Sequence, residues 1–417
     1  MEGVFTKKDR NDAVKALTIV DKIEVDRSFP QELLDLQKKN RKNPHPWRGQ
    51  FTPEFIELFL IQFRSETKTV LDPFAGSGTT VIEAARLGFN AYGVELNPVS
   101  VEMGRVSYWI KLSPSEREKF ISQSRSLVKN KVGSPLMNYL PVDTDLIKSL
   151  LSHAKEISPF VYNIIVTSLA RAASRKGKSE AFNAFTLWDN FEKQVDIIRA
   201  LPYKPDLNIH LFHGDARNLP LGEEEIDLII TSPPYINVFN YHQNYRAITE
   251  AIGVDPLCLA KSEIGANRKF RSNRFLTVIQ YSIDISIALL EMRRVLRRDG
   301  TAVIVIGRES MVRKRPVLNY RIIMALALLV GFEIDLRRER KFKNRFGQTI
   351  VEDIIYLKKT DNSISKDPDL LIDDARMVAE VLLSEMLPTA PNDVAIDIKK
   401  ALERSDEIKP SDFFVTF

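Results

Sequence analysis

The chain has 417 residues, 44% hydrophobic and 28% charged, which describes a globular protein long enough for one elaborated domain or two to three ordinary ones. Its net charge of +5 is too small by itself to indicate nucleic acid. The single cysteine, Cys258, excludes a disulfide framework and a cysteine-ligated zinc site, so no metal is expected.

Taken in chain order, residues 1–44 are polar and weakly patterned, and read as a lead-in. Charges interrupt MEGVFTKKDRNDAVK where a signal peptide needs an apolar core. Residues 52–63 (TPEFIELFLIQF) read as a helix with Thr52 as N-cap, Pro53 in the first helical position and Glu54 in the first turn. A short apolar strand, TVLD at 69–72, runs into a glycine-rich turn. TTVIEAARL at 79–87 reads as a helix closed by Gly88, and NAYGVE at 90–95 as the next strand.

From 97 to 202 the pattern is mainly helical, with DTDLIKSLLSHAKEIS and FVYNIIVTSLARAASR as the best amphipathic stretches. Strand signals return at 209–213, 226–231, 301–306, 332–336 and 350–357. A helix at 278–296 precedes the strand at 301, with RRDG as the turn between them, and a helix at 321–329 stops at Gly331. The uncharged run 322–332 is far shorter than the about 20 residues that cross a bilayer. A cytoplasmic location without membrane contact is the expectation.

Seven short strands alternating with helices predict an α/β fold with a doubly wound, mostly parallel sheet and a helical insertion. The expected division is a lead-in (1–44), a core domain in two pieces (45–99 and 206–360), the insertion (100–205) and an acidic extension (361–417). Charge follows this division. Residues 261–360 carry 22 Lys and Arg against 10 Asp and Glu, whereas 361–417 carry 6 against 13. The basic stretch, with RKFRSNR, RRVLRR, RESMVRKR and RRERKFKNR, reads either as a phosphate-facing surface or as solvated faces. The extension reads as a helical cap or as a segment competing for that basic face.

The turn Leu71-Asp72-Pro73-Phe74-Ala75-Gly76-Ser77-Gly78-Thr79-Thr80 lies between strand and helix. Glycines there permit a sharp turn and close backbone approach to a ligand, and the following helix N-terminus favours an anionic group. ATP, a dinucleotide and S-adenosylmethionine all suit such a turn. Thr79 stands where a P-loop needs lysine, and the third glycine of a dinucleotide fingerprint is missing. Glu95 closes the second strand, 19 residues after Gly76, within reach of ribose hydroxyls on a bound adenosine.

At this point the chain resembles the S-adenosylmethionine-dependent amino methyltransferases of DNA, whose cofactor motif Asp-Pro-Phe-Ala-Gly-Ser-Gly-Thr-Thr matches almost letter for letter. The resemblance implies a Rossmann-like methyltransferase sheet. It also implies that Asp72 and the backbone from Phe74 to Gly78 hold the methionine moiety, that Glu95 takes the ribose, and that Asp215 in His213-Gly214-Asp215-Ala216 meets the adenine amino group. HPWRGQFTP at 45–53 is similar to the family's segment beneath the methionine end.

Residues 227–235, DLIITSPPY, form an apolar strand running into Ser232-Pro233-Pro234-Tyr235. Two prolines end the ladder and fix the backbone. Transfer of a sulfonium methyl to an exocyclic amine needs a nitrogen whose lone pair is freed from ring delocalisation. The Ser232 hydroxyl and Pro233 carbonyl would accept its N–H groups, and Tyr235 would stack on the extruded base. Methylation at cytosine C5 needs a thiolate, and Cys258 lacks a suitable context.

In the resembled family, Ser at the head of this motif goes with N4 of cytosine more often than Asp does. A site-specific N4-cytosine methyltransferase of a restriction–modification system is therefore expected, with duplex DNA and a cognate restriction endonuclease as partners. N6-adenine in DNA and an RNA amine are the alternatives. Tyr241, Tyr245 and Arg246 are candidates for base and phosphate contacts, and core packing accounts equally well for the aromatics. Target recognition is expected from the insertion and the basic loop 255–277.

Overall fold

A computed structural model describes the chain except residues 1–8, 36–40, 48, 134–139, 175–181, 237–242, 267–269, 344–346, 361–367 and 415–417. Strands that are apolar on both faces must be covered on both, and the seven strands of the main sheet follow that rule. They are β1 (Thr69–Asp72), β2 (Asn90–Glu95), β3 (Ile209–His213), β4 (Ile226–Thr231), β5 (Leu296–Gly307), β6 (Phe332–Lys343) and β7 (Thr349–Lys359). Their order across the sheet is β6-β7-β5-β4-β1-β2-β3. Only β7 runs against its neighbours.

Alternate residues of each strand feed two cores. Val70, Leu228, Ile230, Val303 and Ile354 face one, together with helices Pro53–Gln62 and Thr79–Leu87 and the helices of the insertion. Leu71, Ile229, Ile304 and Ile355 face the other, against helices Phe275–Val295, Asn319–Leu329 and Pro368–Met386. The result is a three-layer α/β/α arrangement, the doubly wound mostly parallel sheet read from the sequence. Helix Phe275–Val295 is long and apolar enough to span a bilayer by composition, but its apolar window is 83% buried inside the protein.

Three local readings change. Thr52 stands at the N-cap with Pro53 following, yet its side chain makes no capping bond, so the proline carries that helix start. RRDG is a bulge inside β5, because the β4 pairing jumps from Ile226↔Leu296 to Leu228↔Thr301. Strand β6 continues to Lys343, since β7 pairs with it along its whole length.

The lead-in contains helix Asp9–Val20, which buries Ala13, Leu17 and Val20 in the second core. Their i, i+4, i+7 spacing is one helical stripe. The acidic extension forms helices Pro368–Met386 and Asn392–Glu403 that pack on the same layer.

Candidate active site

Strand β1 stops at Asp72, a buried carboxylate. Its Oδ1 accepts from the Thr231 hydroxyl at the end of β4 (2.6 Å) and from the Phe74 N–H (3.1 Å). Burial, with no cation beside it among the described residues, pushes Asp72 up to about 6. The chain then turns through left-handed backbone at Gly76 (φ +52°) and Gly78 (φ +80°). A Cβ at Gly78 would lie 2.3 Å from the Gly104 Cα, and one at Gly76 2.9 Å from Trp47 Nε1. Bare backbone at Gly76 therefore faces the cleft with an indole against it. The first-turn N–H groups of helix Thr79–Leu87 have no intrahelical acceptor, and they suit a carboxylate.

Glu95 at the tip of β2 closes the loop from behind. Its Oε2 accepts the Gly76 N–H and its Oε1 the Asn97 N–H, both at 2.8 Å. Burial pushes it up to about 7. Each oxygen keeps a second lone pair for a ligand hydroxyl.

The stretch HPWRGQFTP lies beneath the loop, where Gln50 Oε1 accepts the Ser77 hydroxyl (2.8 Å) and Trp47 stacks on Tyr245 (centroids 6.2 Å, 17°). Just ahead of that stretch, Asn43 Oδ1 accepts the Thr79 hydroxyl (3.2 Å).

Ser232-Pro233-Pro234-Tyr235 follows β4 directly. Strands β1 and β4 pair in parallel (Val70↔Leu228, Leu71↔Ile229), so the glycine turn and this turn emerge side by side. The Tyr235 ring lies over Gly307 at the end of β5, where a Cβ would sit 2.9 Å from its Cε2. Its hydroxyl meets the Ser232 side chain and the Gly307 backbone, and burial pushes the phenol up.

One cleft of about 1100 Å³, partly open to solvent, joins the two turns. Asp72, Pro73, Phe74, Ala75, Gly76, Ser77, Thr79, Glu95, Asp215, Ser232, Pro233, Pro234 and Tyr235 all line it. Of the residues expected at the site, Gly78 alone stays behind the wall, packed on Gly104. Cys258 is exposed and does not line the cleft.

Other expectations are corrected. Tyr245 is 8% exposed and donates its hydroxyl to the Pro46 carbonyl, so it packs the site from beneath instead of offering a stacking face. Arg246 is ion-paired with Glu250. Tyr241 lies outside the described residues. Arg308, just after β5, and Arg337 and Arg340 of β6 are not a phosphate-facing row: Arg308 and Arg337 converge on Asp353, and Arg340 pairs with Glu352. The acidic extension meets others of the basic stretch, with Glu385 on Arg321 and Asp393 on Arg313. By contrast, Arg271 and Arg274 make no ion pair among the described residues.

Sequence reading missed Glu263 and Asn97, which also line the cleft, and Arg217, which grips Asp215. Asn97 carried a signal, because Asn-Pro after a strand marks a helix start. The other two sit in no recognisable spacing.

A family model described as a DNA methylase matches residues 5–105, and one described as an RMKL-like methyltransferase domain matches residues 62–255. The Type II methyltransferase M.MvaI of Kocuria varians is 38% identical over 229 residues, covering 45% of this chain and 50% of that one. M.BsoBI of Geobacillus stearothermophilus is 22% identical over 295 residues, covering 56% and 57%. M.AvaI of Nostoc sp. is 22% identical over 285 residues, covering 56% and 59%. The chain thus spans about half the length of these relatives.

Fold and cleft together define a Rossmann-like methyltransferase with S-adenosylmethionine as cofactor. The bare glycine turn and the two uncompensated carboxylates fit that cationic ligand. Within the class, the chain is similar over the matched residues to the DNA amino methyltransferases.

Proposed function

We propose that the chain methylates the exocyclic N4 of cytosine in a specific duplex DNA sequence, by base flipping, as the modification half of a restriction–modification system. The observation that carries this reading is the parallel pairing of β1 and β4, which sets Asp72–Gly78 and Ser232–Tyr235 on one cleft. Bound S-adenosylmethionine supplies an electrophilic methyl on a sulfonium.

The residues of the chain do the rest. Asp72 and the Gly76 backbone hold the amino-acid end, Glu95 takes the ribose hydroxyls and Asp215 the adenine amino group. Ser232 Oγ and the Pro233 carbonyl accept the N–H bonds of the target amine and direct its lone pair toward the methyl. The surplus proton leaves the methylated nitrogen to solvent. The two prolines fix those acceptors, which raises effective concentration without a strong base. With its hydroxyl tied to Ser232, Tyr235 holds that serine in place, and its ring stacks on the base.

The insertion and the loop around Arg271 and Arg274 serve target recognition in this reading. Cations without an ion pair among the described residues are the groups available for phosphates.

The test is incubation with labelled S-adenosylmethionine and duplex DNA or total RNA, followed by nucleoside mass spectrometry. The expected product is 4-methylcytosine in DNA. Ser232→Ala is expected to lose about 100-fold or more of it, the scale of a removed transition-state hydrogen bond, while still binding cofactor. Label in RNA alone overturns the substrate. N6-methyladenine overturns only the base.

A further inference from the structure

The β3 side of the cleft contains a buried ionic cluster. Arg217, 2% exposed, forks onto Asp215 (Nη2 to Oδ2, 2.6 Å; Nε to Oδ1, 3.0 Å) and reaches Asp284 in helix Phe275–Val295 (Nη1 to Oδ1, 2.8 Å). Nη2 also reaches the Ser262 carbonyl (3.3 Å), and the rest of the fork goes to one segment of the extension. Nη1 donates to the Ser411 carbonyl (2.9 Å) and hydroxyl (2.6 Å), and Nη2 to the Asp412 carbonyl (2.8 Å). The Phe413 ring lies 4.6 Å from the guanidinium carbon.

That segment is itself fastened. The Ser411 N–H donates to Asp284 Oδ1 (2.9 Å), Gln280 to the Lys409 carbonyl (2.9 Å), and the Asp412 N–H to the Lys261 carbonyl (3.2 Å). Lys261 adjoins Ser262 and Glu263, which line the same cleft.

Asp215 is thereby full. A carboxylate offers about four acceptor positions. Here Oδ1 takes the N–H and Nε of Arg217, each at 3.0 Å. Oδ2 takes Arg217 Nη2 at 2.6 Å and the Phe414 N–H, whose 3.2 Å makes it the longest of the four. The bond from Phe414 ties this part of the cleft wall to a residue 199 positions away.

We propose that residues 409–414 are a built backing behind the wall of the adenosine subsite: Arg217 is a positioning residue that aims Asp215 at the adenine amino group, and the Phe414 N–H keeps the acceptor position that this group takes over. The inference rests on the assignment of Asp215 to adenine. Exchange of one N–H for another leaves the carboxylate's bonding unchanged, and the bond exchanged is its weakest. Ser411, Asp412 and Phe413 hold Arg217 independently of residue 414, so Asp215 does not turn when that bond is released.

The experiment is calorimetric titration of the full chain with S-adenosylhomocysteine and with its inosine counterpart, which carries oxygen in place of the amino group. The wild type is expected to prefer adenine by at least about tenfold, the scale of an amine–carboxylate bond removed and a repulsive oxygen added. The double variant Ser411→Ala/Phe413→Ala should lower that preference about threefold, and Arg217→Met should erase it. Melting curves identify the folded variants, and the double variant decides if Arg217→Met does not fold.

Equal weakening of both ligands, with the preference intact, overturns the proposal, because the segment would then only stabilise the fold. Tighter binding by the double variant overturns it too, since the segment would then be an obstruction. A wild type without any preference removes the Asp215 assignment itself, and the inference with it.

Discussion

The two ends of the cleft hold their carboxylates in opposite ways. At the glycine turn, Asp72 and Glu95 are buried among backbone N–H groups and one hydroxyl, with no cation beside them among the described residues, and both are pushed up toward neutrality. At the β3 end, Asp215 is gripped by an arginine as buried as itself. A carboxylate of the first kind is poised to give up a proton when a cationic ligand arrives. One of the second kind already has its counter-charge and serves as a fixed acceptor. One residue type thus supplies charge response at one end and geometry at the other, and the neighbours decide which.

The largest effect is expected where the arginine-held arrangement recurs away from the cleft. Asp353 is fully buried and receives Arg308 (2.8 Å) and Arg337 (2.9 Å). Asp353→Ala strands the Arg337 guanidinium and leaves Arg308 only its pair with Glu339, a loss of about 3–5 kcal/mol on breaking a buried pair. Urea unfolding measures it, and a change below about 1 kcal/mol would show that these arginines are solvated after all.

Next comes the glycine end. Gly78→Ala puts a methyl 2.3 Å from backbone at Gly104 and forces a left-handed φ of +80° on a residue with a side chain. The conformation alone costs about 1–2 kcal/mol, and the backbone at Gly104 cannot yield as a flexible side chain would. Affinity for S-adenosylhomocysteine should fall by at least about 30-fold at 25 °C, with a lowered melting temperature. Unchanged binding in a folded variant would remove this turn from the cofactor site.

Much of this was legible in the sequence, and the reason is local. Asp72 to Thr79 and Ser232 to Tyr235 are short, contiguous and made of residues with strong backbone demands, so their turns and their places at strand ends could be read directly. The helical insertion followed from its period. The arginines of β6 could not be read the same way. RRERK in a line looks like a basic face, but alternate residues of a strand point opposite ways, and the acids that neutralise Arg337 and Arg340 come from β7 while Arg338 meets Asp26 of the lead-in. Arg217 depends on residues 411–413, almost two hundred positions away, and helix Asp9–Val20 packs on helix Asn319–Leu329. Packing at such separations leaves no local mark.

The pH dependence of binding sharpens the contrast at a smaller scale. Folded Asp72 and Glu95 bind protons up to about pH 6 and 7, well above their ordinary range. Their raised values mean that the folded state holds more protons than the unfolded one across that window. Stability of the unliganded protein therefore falls as pH rises from about 4 through 7. A cationic cofactor favours the ionised forms, so its affinity should rise over the same window by up to about tenfold per pH unit, with proton release. Titrations in buffers of different ionisation enthalpy measure that release. Glu95→Gln should remove its upper part. A flat profile in the wild type would mean that both carboxylates are already ionised.

The smallest effect on the fold, and the sharpest for DNA, belongs to Arg271 and Arg274. They sit in the segment that leads into helix Phe275–Val295, after the cleft-lining residues Ser262 to Ile264 in the chain. Replacing both by alanine breaks no ion pair among the described residues, so unfolding free energy should stay within about 0.5 kcal/mol and cofactor affinity should not move. If these groups meet phosphates, affinity for duplex DNA falls, and the slope of log affinity against log salt flattens by about 0.9 for each phosphate no longer neutralised. An Arg308→Ala control should do the reverse, weakening the fold through Asp353 and leaving that slope alone. Equal slopes in the wild type and the double variant would place the phosphate-facing surface elsewhere, with the insertion as the remaining face. Two arginine-bearing segments that composition cannot tell apart are thereby separated by a salt titration, because only free charge releases counterions.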